Sequence, residues 1–160
     1  MEAIGHREQL TDAQYAAIGR AVRGFAVLEH ALASATISLL GGPEFDPDTI
    51  GERQAQGVVQ ASFDARLNRF LIAYGEKFQR DLWCDRLEEA VKGILKWRNG
   101  ICHGLWSNGA DGEMVLTFWD RESAAEFREA APQSLTIEDL YQFEAASLVN
   151  AKQLYSLKGG

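Results

Sequence analysis

The stretch from Thr11 to Leu40 reads as one uninterrupted helix, and its length limits what the chain can fold into. Tyr15, Ile18, Val22, Phe25, Leu32 and Leu39 fall at alternating steps of three and four, once Glu29 and Thr36 are counted in the same register. Thr11 and Gln14 have the spacing of a capping box, and Gly41-Gly42-Pro43 closes the other end. About 29 residues at 1.5 Å each span roughly 43 Å, long for a domain of ordinary size. A helix of that length cannot bury its apolar stripe alone. It needs neighbouring helices or a second copy, so the pattern predicts a bundle or a dimer seam.

The rest of the chain supplies the neighbours. Val58 to Tyr74 reads as a second helix on Val59, Phe63, Leu67, Phe70, Leu71 and Tyr74, with a break near Gly75. Arg80 to about Cys102 reads as a third, with Cys84, Leu87, Val91, Ile94 and Ile101 on its stripe. Glu44 to Gly57 is polar and reads as a loop or a partly ordered excursion. The period then changes. Leu105-Trp106 and Met114 to Trp119 flank Asn108-Gly109 and Asp111-Gly112, which is hairpin-turn chemistry. Ser123 to Ala131 reads as a short helix or an irregular arm before Pro132. Thr136 to Leu157 is the last helix, with Thr136 as N-cap and Glu138 and Asp139 in its first turn. The expected fold is mainly α: an up-and-down four- or five-helix bundle with an inserted β-hairpin at about 105–119, in a single domain over 1–160.

Charge is unevenly spread. The chain carries a formal −7, and the segment 111–144, with nine acids against Arg121 and Arg128, holds all of it. The remainder is neutral, so an anionic partner is not excluded, but nonspecific coating of nucleic acid is. The acidic segment is expected to point away from any anion site or to meet a basic partner. Cys84 and Cys102, on one helix and roughly 27 Å apart, cannot form a disulfide and read as free thiols in a reducing compartment. Met1 to Leu10 has no apolar core, so no signal peptide is expected. Gly24 to Leu40 contains Glu29 and His30 and reads as too short and too polar to span a bilayer. The expected location is cytoplasmic, with no membrane partner.

Several chemistries lack their residues. There is no P-loop, no GxGxxG, no Glu-x-x-His, no GxSxG elbow and no metal-ligand spacing among His6, His30, His103 and the cysteines. No metal and no cofactor are expected.

Two charges sit where apolar residues belong. Glu29 follows Val22 and Phe25 on the first helix, and Arg98 follows Val91 and Ile94 on the third. An unpaired buried charge costs several kcal/mol, so each needs a partner, and the economical reading pairs them with each other. Such a pair either serves a site or only fixes helix register. Between Glu89 and Asp111 there is no acid, while Lys92, Lys96, Arg98, Asn99 and His103 fall in that window. Asn99 and His103 share a helical face, and Lys92 and Lys96 continue it. This is the best local anion site in the chain, though a solvated helix face has the same composition. Trp97 and Trp106 beside it read as packing rather than as base-stacking platforms. Arg66, Arg69, Lys77 and Arg80 form a second mildly basic strip.

The run Arg98-Asn99-Gly100-Ile101-Cys102-His103-Gly104 resembles the signature of the HEPN superfamily, an arginine followed by a polar residue and then, after four to six residues, a histidine. Here four residues intervene. Glu29 in Phe25-Ala26-Val27-Leu28-Glu29 lies on an early long helix, where such proteins often carry an acid. The resemblance implies a helical bundle, often a two-fold dimer with the two motifs facing across a cleft, and metal-independent RNA cleavage. It implies His103 as base, Arg98 as the cation on the phosphate, Asn99 as a positioning donor and Glu29 as the residue orienting Arg98, with Lys92 and Lys96 on the substrate. RNA, a second copy of the chain and an antitoxin or other protein are the partners it suggests. Other relatives do not cleave and serve as RNA-, nucleotide- or protein-binding modules, and a purely structural helical dimer is the third reading. The hairpin is not required by the family pattern, and the acidic segment departs from it.

Overall fold

A computed structural model describes residues 9–41, 52–118 and 132–157. In chain order these residues form helices α1 (Asp12–Gly41), α2 (Glu52–Val59), α3 (Phe63–Phe78) and α4 (Leu82–His103), strands β1 (Leu105–Asn108), β2 (Met114–Thr117) and β3 (Gln133–Leu135), and helix α5 (Ile137–Ser156). The architecture is mainly α, a helical bundle fold carrying a short β-hairpin, as the sequence predicts. The arm expected at Ser123 to Ala131, residues 44–51 of the loop expected at Glu44 to Gly57, and Trp119 lie outside the described residues, while residues 52–57 of that expected loop are helical. Packing divides the chain into two compact units, residues 1–23 with 96–144 and residues 24–95 with 145–160.

Local chemistry sets the helix starts. The Thr11 N–H donates to Gln14 Oε1 at 2.8 Å and the Gln14 N–H donates to Thr11 Oγ1 at 3.2 Å, the reciprocal capping box. Thr136 and Asp139 repeat it at α5, with bonds of 2.8 and 3.1 Å. Asp81 caps α4: its Oδ1 accepts from the Cys84 N–H at 2.9 Å and its Oδ2 from the Tyr74 hydroxyl at 2.9 Å. These bonds hold the Asp81 carboxyl below the usual carboxylate range, the Cys84 amide contributing most. Burial, and then the bond to Asp81, push the Tyr74 hydroxyl up to about 12.

The second helix differs from expectation. Val58 to Tyr74 is not continuous. Residues 52–59 form the separate α2, and Ser62, whose Oγ accepts from the Ala65 N–H, starts α3 afresh. Val58, Val59 and Phe63 keep helical spacing across the turn, so periodicity alone reads through it. Arg66 closes α2 from outside, donating to the carbonyls of Val59 at 2.5 Å and Ala61 at 3.0 Å. Nor does α3 break at Gly75. It runs on to Phe78 and stops at Gln79, where φ is 62° and the N–H reaches Gly75 O at 3.1 Å.

In the unit of residues 24–95 and 145–160, Phe25, Leu28, Leu32, Leu67, Phe70, Cys84, Val91 and Leu154 are buried. An 18-residue window of α1 reaches a mean hydropathy of 1.3, so by length and composition this helix could cross a bilayer, contrary to the reading of 24–40 as too polar; 44% of that window is buried inside the protein. A core helix passes the same test.

In the other unit, β2 lies between β1 and β3, antiparallel to both. Leu105 pairs with Thr117, Trp106 with Leu116, and Met114 with Leu135. Met114 and Leu116 are fully buried while Val115 and Thr117 are half-buried, the alternation expected of a strand with one core face. Between the two Gly-containing turn signals the chain uses Asp111-Gly112. Their φ values of 52° and 79°, with the Glu113 N–H on Ala110 O at 3.0 Å, are those of a type I′ turn. The third strand was not foreseen: three residues, Gln133 to Leu135, are too few to show a period.

Candidate functional site: the last turn of helix α4

His103 is the final residue of α4. Asn99 and His103 are exposed, four residues apart and so about 40° apart around the helix axis. Arg98 is half-buried and lies to one side of that stripe. Its Nη1 donates to Asn99 Oδ1 at 3.1 Å, which draws the guanidinium towards the exposed face. Two side chains of the motif, Arg98 and Asn99, are thus joined, and His103 lies one turn beyond. Lys96, also exposed, lies on the same face a turn earlier.

The face adjoining this stripe carries Gly100 and Gly104, and it lies against the hairpin. A Cβ on Gly100 would stand 2.9 to 3.1 Å from atoms of the Phe118 ring. A Cβ on Gly104 would strike the Gly100 carbonyl, and would stand 2.5 Å from Leu116 Cδ1 and 3.0 Å from Thr117 O. Neither position has room for a side chain. The Gly104 N–H donates to Gly100 O at 2.7 Å, and Trp106 Nε1–H donates to Ile101 O at 3.2 Å. The two tryptophans of the window serve packing, as expected, and Trp106 in addition caps the helix end. The Trp97 ring tilts against Phe143 with centroids 5.5 Å apart.

Two other sequence candidates, Lys92 and Glu29, have ion-pair partners of their own. Lys92 donates to Glu88 Oε1 at 2.6 Å, and Glu88 is also paired with Arg80. These cations, Lys92 first, hold the Glu88 carboxyl below its ordinary range. Glu29 belongs to the unit of residues 24–95, where its carboxylate lies 3.8 Å from Arg66, each side chain about 18% exposed. Half of the second basic strip is committed as well: Arg66 to backbone carbonyls, Arg80 to Asp85 and Glu88.

The structure adds a pair the sequence did not suggest. Glu144, counted among the acids of 111–144, is buried and takes two hydrogen bonds from Arg20 Nε at 3.1 Å and one from Nη2 at 2.7 Å. Arg20 also lies 4.1 Å from the centre of the Tyr141 ring. The guanidinium holds the Glu144 carboxyl below its usual range. This acid is structural rather than a surface for a basic partner.

Among the described residues no three His, Cys, Asp or Glu side chains cluster as a metal site. A separate concavity of about 230 Å³ in the other unit, between Leu40, Val58, Ile72 and Ala73, carries both Arg69 and Glu76 and so favours neither sign of charge. Chemically, the end of α4 offers a guanidinium, an amide and an imidazole on an accessible surface. That set can bind an oxyanion and move a proton near neutral pH. No family model, no curated protein and no solved structure matches the chain.

Proposed function

We propose that the chain is a metal-independent endoribonuclease of the HEPN type that uses Arg98, Asn99 and His103. The observation that carries this reading is the bond from Arg98 to Asn99 at 3.1 Å, with an exposed His103 one turn further along. RNA brings its own nucleophile. His103 takes the proton from a 2′-hydroxyl, and the 2′-oxygen attacks the neighbouring phosphorus. Arg98 meets the charge that builds on the phosphate oxygens, and Asn99 holds Arg98 in place. The 5′-oxygen leaves with a proton from water or from the His103 of a second copy, giving a cyclic phosphate and a 5′-hydroxyl. Lys96 is the nearby cation for the flanking phosphate; Lys92 is secondary, because Glu88 offsets its charge. In this reading the protein acts in the cytoplasm, away from membranes, as a homodimer, and an antitoxin or other protein partner restrains it.

The test is incubation with a mixed single-stranded RNA in EDTA, with a DNA of the same sequence beside it. The wild type is expected to cut the RNA and leave the DNA. His103→Ala should lower the rate about 10²–10⁴-fold, the usual worth of a general base. DNA cleavage, or an equal background with both proteins, sinks the nuclease reading. The second result leaves a module that binds RNA, a nucleotide or a protein through the same surface.

A further inference from the structure

Helix ends fray, because their last carbonyls have no partners within the helix. A base placed on the last residue of a helix is therefore poorly held unless something else fixes that turn. We infer that the β1–β2 hairpin is that device, and that Trp106 and Phe118 are positioning residues for Asn99 and His103. The inference rests on the proposed role of His103.

Three contacts from the hairpin point the same way. The Trp106 indole N–H donates to the Ile101 carbonyl at 3.2 Å, so an orphan acceptor of the last turn is satisfied from β1. The Phe118 ring lies on Gly100 within the distance a side chain would need. Leu116 and the Thr117 carbonyl lie on Gly104 in the same way. The sequence arrangement follows from this geometry. Asn99-Gly100 and His103-Gly104 are two identical steps, four residues apart, each made of an exposed polar residue and a glycine seated on the sheet. One stripe is held, and the stripe next to it is presented. Misplacing a reacting group by about 1 Å can cost on the order of a hundredfold in rate, so this support matters to catalysis even though neither ring touches substrate.

The test uses Trp106→Phe, which keeps an aromatic ring but removes the indole donor, together with Gly100→Ala, which pushes a methyl into the Phe118 ring. Each is measured for RNA cleavage with kcat and KM separated, and for backbone ¹⁵N order parameters over residues 99–104. The expected result is a fall in kcat of between about ten- and a hundredfold with KM unchanged, and order parameters that drop from the rigid value of about 0.85. Phe118→Leu added to Gly100→Ala should recover much of the loss by making room for the methyl group. Unchanged order parameters in both variants overturn the inference. Unchanged kcat with lowered order parameters also overturns it, because the turn would then be held for nothing. If the wild-type protein cleaves no RNA, the nuclease reading fails by itself, and the order parameters still decide whether the hairpin holds the turn.

Discussion

At single residues, the positions that cost most to hold are easiest to test. Gln79 ends α3 at φ 62°, ψ 148°, a conformation suited to glycine. Gln79→Gly is therefore expected to raise stability by about 1 kcal/mol in urea unfolding, with the slope unchanged. Glu144 gives the opposite case. Glu144→Ala leaves Arg20 without its acceptor, and Tm should fall by several degrees. Neither site was legible in sequence. The partners Arg20 and Glu144 are 124 residues apart, and nothing marks Gln79 as the place where α3 stops.

At the level of elements, what could be read locally was read well. Both threonine-capped helix starts and the Asp111-Gly112 turn are set by residues within four positions of each other. Thr11→Ala should cost about 1 kcal/mol through α1 alone. The division of α2 from α3 was not legible, because Arg66 closes α2 from a position seven residues away and the apolar spacing continues across the gap. The junction of α3 and α4 carries a pH dependence. Tyr74 titrates in the folded chain at about 12 rather than 10, so the folded state binds this proton more tightly than the unfolded one. Its contribution is fully present below pH 10 and is lost as pH rises from about 10 to 12. The carboxyls of Asp81, Glu88 and Glu144 are shifted down, so their contributions are present above the ordinary carboxylate range and are lost as pH falls through it. Stability measured against pH should fall at both ends, and Tyr74→Phe should remove part of the alkaline fall and, because it takes one hydrogen bond from Asp81, lessen the acid one slightly.

For the molecule as a whole, the question is how an acidic protein meets an anion. The formal charge of −7 lies within 111–144, and one of those acids, Glu144, is neutralised internally by Arg20. If the proposed function holds, attraction to RNA is local and short in range. If Lys96 and Arg98 are the phosphate contacts of one protomer, log K against log salt for a single strand should slope about −1.4, and about −2.8 if two protomers share the strand. Lys96→Ala should flatten the slope by about 0.7 per protomer, and Lys92→Ala should change it less, since Glu88 already offsets that charge. A slope much steeper than these values would place the RNA on another surface. The motif itself was legible because all of its members lie on one helix. Its support was not, because the hairpin residues that hold it follow a change of backbone period.

The paired steps Asn99-Gly100 and His103-Gly104 also foretell how this surface tolerates substitution. In a library of single variants scored separately for abundance and for activity, positions 99 and 103 should accept many residues without loss of soluble protein and few without loss of function. Positions 100 and 104 should fail on abundance first, because any side chain there meets Phe118, Leu116 or backbone. Four neighbouring residues would then carry two different kinds of selection in strict alternation, and a purely structural turn would show only the second.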